Sequence, residues 1–116
     1  MFAKGEHANE PIGIIEVKCP YSIRNLSFSD PDYKKHHLPY LDHELNLLKT
    51  HEYYHQIQGE LYATDAPWCD FVVWTVKDMH IQTIYPDYKW RRTEIPRLIS
   101  FYAENILTED LQLLNL

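Results

Sequence analysis

The sequence predicts a mixed α/β domain, and three stretches carry that prediction. Gly13-Ile14-Ile15-Glu16-Val17-Lys18 is a β-branched run, and Pro20 closes it by removing a ladder donor. The segment Asp70-Phe71-Val72-Val73-Trp74-Thr75-Val76 is almost uniformly apolar, as expected of a central strand. Between them, Tyr54, Ile57 and Leu61 recur at helical spacing and predict an amphipathic helix over 51–63.

The remaining elements follow in order. Residues 1–11 carry no period, end in Pro11, and read as an irregular lead-in. Residues 27–32 are dense in capping and turn types and predict a short helical turn over 31–36. Leu38-Pro39-Tyr40-Leu41 and the run 44–49 flank Asp42-His43 and predict a small hairpin, with Pro39 confining its first strand to an edge. Thr50 is the expected N-cap of the main helix, Glu52 lies in its first turn, and Asp65-Ala66-Pro67 ends it. Lys77-Asp78 turns the chain into a strand over 79–85. A closing helix over 87–105 follows, with Trp90, Ile95, Leu98, Ile99, Tyr102 and Ile106 inward and Pro96 predicting a kink or break. The length of 116 residues suits one domain with one core.

Composition sets limits on function. Nine Tyr and three Trp indicate a globular chain rather than a disordered one. The net charge of −6 means that a nucleic-acid partner would need a local basic patch or bound cations to offset the field. Two cysteines cannot form a disulfide framework, and Cys19 is expected inside the first strand, so a reducing, intracellular setting is expected. No run approaches the length of a membrane span.

The first strand also carries the chemistry. Its side chains alternate, so Glu16 and Lys18 leave one face while Ile15 and Val17 leave the other. A carboxylate and an ammonium emerging together from an apolar strand are costly unless they pair or bind something. On the helix, Tyr53, Gln56 and Glu60 fall at i, i+3 and i+7 and share a face. If that face looks across at Glu16 and Lys18, the cleft suits phosphodiester hydrolysis. The Glu16 carboxylate and the Val17 carbonyl could take a hard divalent cation, and Lys18 could orient or deprotonate water and offset phosphorane charge. The bland alternative is a strand-edge salt bridge beside an ordinary polar helix face, since E-x-K alone is a weak signal.

Three blocks bear on that choice: GIIEVKCPYS, then HEYYHQIQGELYAT, then PWCDFVVWT. In this order and at these separations they resemble the YqaJ-type viral recombinase and lambda-exonuclease-like branch of the PD-(D/E)XK nucleases. The resemblance runs from about Ile12 to the final helix. It implies a restriction-endonuclease-like α/β fold, a mixed sheet flanked by helices, and a Mg²⁺- or Mn²⁺-dependent exonuclease acting on linear double-stranded DNA ends. Carried over by position, Glu16 and the Val17 carbonyl would be metal ligands and Lys18 the catalytic lysine. Tyr53 and Gln56 would be the tyrosine and glutamine of the Y-x-x-Q helix beside the substrate, with Gln56 also counted among the catalytic residues.

The family pattern also has an aspartate on an upstream strand, usually after Pro, and an earlier acidic residue on a helix. Before Ile14 this chain has no Asp; its acids there are Glu6 and Glu10, the latter followed rather than preceded by Pro. The expectation is therefore a single partial nuclease domain over 1–116, incomplete at its N-terminal side. Such a chain should cleave DNA poorly or not at all, or serve as a catalytically dead DNA-binding remnant. An oligomer is compatible with this reading.

A competing motif is His51-Glu52-Tyr53-Tyr54-His55, a literal H-E-x-x-H that could hold Zn²⁺ with Glu52 as general base and Glu94 or Glu104 as third ligand. It falls in the first turn of the predicted helix, and its tyrosine already fits the nuclease pattern. Lys34-Lys35-His36-His37 and the group Lys89, Arg91, Arg92 and Arg97 read as solvated basic faces before phosphate contacts. Trp68, Trp74 and Trp90 read as core or rim aromatics. Cys19 reads as packing rather than a nucleophile.

Overall fold

The computed structural model describes residues 2–3 and 12–107. The chain forms two compact units, Met1–Pro86 and Asp87–Leu116. The first holds an open sheet of order β1-β2-β3-β4, built from Phe2–Ala3, Gly13–Lys18, Cys69–Trp74 and Met79–Ile84. Strands β2 and β3 pair in parallel, while β1 with β2 and β3 with β4 pair antiparallel, so the sheet is mixed. The apolar β3 is indeed interior, with β2 and β4 on either side. Strand β1 consists of two residues within the stretch expected to be irregular; residues 4–11 of that stretch lie outside the described residues.

The β2–β3 register sets which side chains share a face. Ile14 pairs with Cys69, Glu16 with Phe71, and Lys18 with Val73, and paired residues project to the same side. That side is the core face: Ile14, Cys69, Phe71 and Val73 are buried there. The helix α2 (Glu52–Thr64) lies over it, burying Tyr54, Ile57, Gln58 and Leu61, with the Tyr53 ring 6.4 Å from that of Phe71. The opposite face carries Val17, Trp74, Met79 and Ile81, all exposed by two-fifths or more.

Several local expectations change. The N-cap of α2 is His51, not Thr50, because His51 Nδ1 accepts the Tyr53 N–H at 3.1 Å. At the far end Asp65 adopts a left-handed backbone (φ 54°), which stops the helix. The short helix α1 (Pro31–Lys35) forms where expected, with the Asp30 carboxylate accepting the Asp32 N–H at 2.9 Å. The predicted hairpin reduces to one bridge, Leu41 with Leu47. The Asp42 carboxylate takes the N–H groups of Glu44 and Asn46 and folds the segment as a side-chain-closed turn instead of a ladder.

Cys19 is exposed, not inside a strand: β2 ends at Lys18, and after Pro20 the chain enters a 3₁₀ turn over Tyr21–Ile23. The turn between β3 and β4 is knitted by buried Thr75. Its Oγ1 donates to the Leu26 carbonyl at 2.7 Å and accepts the Asp78 N–H at 2.9 Å.

In the second unit, α3 (Tyr88–Phe101) is capped by Asp87, whose carboxylate accepts the Trp90 N–H at 3.0 Å. Pro96 sits inside it without ending it, and a π-helical segment over Tyr102–Leu107 follows. Of the side chains expected inward, Trp90 is buried, but Leu98, Ile99 and Tyr102 are about half or more exposed. The side chain of Ile106 lies outside the described residues. No described helix is long and apolar enough to cross a membrane.

Candidate functional site

The site gathers where the C-terminal half of β2 meets α2. Glu16 and Lys18 lie on the core face of the sheet near its rim, with about a third and a quarter of their side chains exposed. Their charges meet at 3.7 Å, Lys18 Nζ to Glu16 Oε1. The same ammonium sits 3.9 Å above the centroid of the Tyr53 ring, so the lysine is held between a carboxylate and an aromatic face. The position of Tyr53 is fixed in turn: its N–H donates to the cap of α2, and its ring lies 4.8 Å from that of buried Tyr40.

Glu60, two helical turns after Tyr53, lies near enough to Glu16 for their charges to interact. Partial burial raises its carboxyl pKa above the ordinary range, the neighbouring Glu16 raises it further, and Lys18 opposes them.

Cys69 lies beneath this pair. Burial, then the charges of Glu60, Glu16 and Asp70, push its thiol up to about 12, so it stays a neutral packing group. Tyr40 is likewise pushed up to about 12, first by burial and then by Tyr53, Tyr33 and Cys19.

Of the residues singled out from sequence, Glu16, Lys18 and Tyr53 come together. Gln56 lies on the same helix between Tyr53 and Glu60 but is exposed. The Val17 side chain leaves the opposite face of the sheet, so only its backbone could serve the site. Two contributors have no role in the family pattern. Glu60 was legible from helical spacing, being seven residues after Tyr53. Tyr40 carried no signal, because its place under Tyr53 depends on the irregular 38–48 segment.

The zinc alternative loses its geometry. Helix α2 begins at Glu52, so His51 stands outside it with Nδ1 already used as a cap, and only His55 is helical. Glu94 contacts Arg97 at 3.4 Å. Among the described residues no group of three or more His, Cys, Asp or Glu converges.

The acidic donors at the site are carboxylate oxygens. Such a set fits a hard cation like Mg²⁺, which takes one or two carboxylates and fills its remaining positions with water and phosphate oxygens. No protein-family model, curated protein or solved structure matches the chain.

Proposed function

We propose that the chain is a nuclease-type domain with a restriction-endonuclease-like core, acting on the ends of linear duplex DNA by metal-assisted hydrolysis of a phosphodiester. The observation that carries the reading is the placement of Lys18 between Glu16 and the Tyr53 ring, with the E-x-K strand facing the Y-x-x-Q helix. Glu16 with the Val17 carbonyl would hold the Mg²⁺ or Mn²⁺ ion, whose bound form would supply charge neutralisation and an acidified water. Lys18, tethered on two sides, would set a cation beside the phosphoryl oxygens on which negative charge develops. Its ion pair with Glu16 and its seat on the Tyr53 ring hold it in place for electrostatic stabilisation. Tyr53 and the exposed Gln56 would line the path of the strand.

The test is degradation of end-labelled linear duplex with Mg²⁺ or Mn²⁺. We expect slow, metal-dependent shortening that falls by at least about a hundredfold in Lys18→Ala and Glu16→Ala. Cleavage that survives both substitutions would overturn the reading. DNA retention without cleavage would select the non-catalytic remnant instead.

A further inference from the structure

We propose that the cavity between α1 and the turn over 42–46 binds a nucleoside monophosphate, with His37, His43 and Lys34 holding the phosphate and the Phe28–Tyr33 wall taking the base. The proposal goes beyond the nuclease reading and does not depend on it. The cavity is separate from the E-x-K cleft: its Phe28 wall abuts His80, with ring centroids 6.3 Å apart. His80 shares a rung of the sheet with Val73 and Lys18, which sets it two strand spacings, about 10 Å, from that lysine.

The first argument is enclosure. The cavity volume, about 480 Å³, lies within the range of about 300–1,000 Å³ usual for sites that take small molecules. Phe28 and Tyr33 form an edge-to-face pair with centroids 5.2 Å apart, and Leu45 continues the apolar side. That wall is held in place. The Phe28 N–H donates to the Asp78 carboxylate at 2.9 Å. Leu45 is kept at φ 65°, a left-handed backbone that a side chain disfavours, by the turn in which the Asp42 carboxylate accepts the N–H groups of Glu44 and Asn46.

The second argument is an unmet polar group on the wall. Tyr33 is only 6 % exposed, and its hydroxyl has no hydrogen-bond partner. The Leu38 backbone tempers the rise that burial imposes on the phenol, but it does not reach hydrogen-bonding geometry. A buried hydroxyl left in this state is costly. A nucleobase seated against this wall brings acceptors to it.

The third argument is charge and its direction. The His37 and His43 rings lie 6.4 Å apart and are tilted by 38°. One anionic oxygen can reach a nitrogen on each of two imidazoles whose centroids are up to about 8 Å apart, so the pair can grip a single phosphate. Lys34 adds an ammonium to the same lining, whereas Asp42 has its Oδ1 committed to backbone N–H groups. The basic side chains are exposed, while Tyr33 is buried and Phe28 and Leu45 are partly so. A ligand with an anionic end outward and a planar end inward matches that gradient, and a bare anion would leave the aromatic wall unused.

The experiment is calorimetric titration of the full chain in EDTA with dAMP, deoxyadenosine and inorganic phosphate. We expect one site for dAMP, at least about tenfold tighter than for either fragment. His37→Ala and His43→Ala should each weaken dAMP at least about fivefold. Lys18→Ala, and Lys49→Ala at an exposed lysine outside the cavity lining, should leave it unchanged. Both histidines are exposed, so the ligand-free variants should keep the wild-type thermal midpoint, which separates lost contacts from lost folding. Inorganic phosphate binding as tightly as dAMP would overturn the nucleotide assignment. Binding lost in Lys18→Ala and kept in both histidine variants would put the nucleotide in the E-x-K cleft, overturning the cavity site while favouring the nuclease reading. No dAMP binding by wild type overturns the proposal and leaves the nuclease reading to its own cleavage assay.

Discussion

At the scale of single residues, the site turns on how charge is held at the edge of an apolar layer. Glu60 binds its proton more tightly in the folded chain than in the unfolded one, because burial and the Glu16 charge disfavour its ionised form. The sign follows from linkage: where the folded state holds more protons, stability falls as pH rises. In chelator-treated protein the contribution is whole below the ordinary carboxyl value of 4.5 and is lost as pH climbs through the raised folded value. Glu60→Gln should flatten that decline, as measured by urea midpoints between pH 4 and 8 in wild type and variant. The cysteines give a second residue-level prediction. Cys19 is exposed, whereas Cys69 is fully buried with its thiol pushed up to about 12. Iodoacetamide at pH 8 should therefore label Cys19 and spare Cys69, and denaturant should expose both, as read by peptide mass spectrometry.

At the scale of elements, β2 depends on its glycine as much as on its charges. Gly13 is buried, and a Cβ there would overlap the Trp68 indole, while the Ile14 N–H donates to the Trp68 carbonyl at 3.0 Å. Gly13→Ala should destabilise the fold by about 1–3 kcal/mol through this overpacking, seen as a lowered thermal midpoint with altered tryptophan emission. Much of the element plan was legible because the signals were periodic. The β-branched runs became β2 and β3, and Tyr54, Ile57 and Leu61 became the buried stripe of α2. Two of the misses share a cause, a side chain bonding nearby backbone. His51 took the cap expected of Thr50, and Asp42 closed a turn where a hairpin was expected. The site followed the same division. Alternation along β2 showed Glu16 and Lys18 on one face, whereas the seat of Lys18 on the Tyr53 ring needed the distance between strand and helix, which no periodicity encodes.

At the scale of the whole molecule, charge limits how the chain could meet DNA. The net charge of −6 opposes a polyanion, and the exposed Lys34 and Lys35 are a small counterweight. Affinity for linear duplex should therefore depend on divalent ions beyond ordinary salt screening. A gel-shift assay should show retention in Ca²⁺ or Mn²⁺ and its loss in EDTA at matched ionic strength; equal retention in both would count against a cation bridging protein and phosphate. The sheet adds an asymmetry, with α2 covering one face while Val17, Trp74, Met79 and Ile81 remain exposed on the other.

The parallel pairing of β2 and β3 also governs when the site can come into being. Antiparallel neighbours can zip from a short turn, but these two strands are separated by residues 19–68, which include α1 and α2. Closing a loop of that length carries an entropic penalty of about 3 kcal/mol before any ladder bond is made. Glu16 and Lys18 emerge from the ribosome long before Tyr53 and Glu60, and the strand that locks them together, β3, emerges last of the three. During synthesis the stretch of the E-x-K strand beyond its short pairing with β1 therefore awaits a distant partner, so contact order sets the pace at which the site assembles.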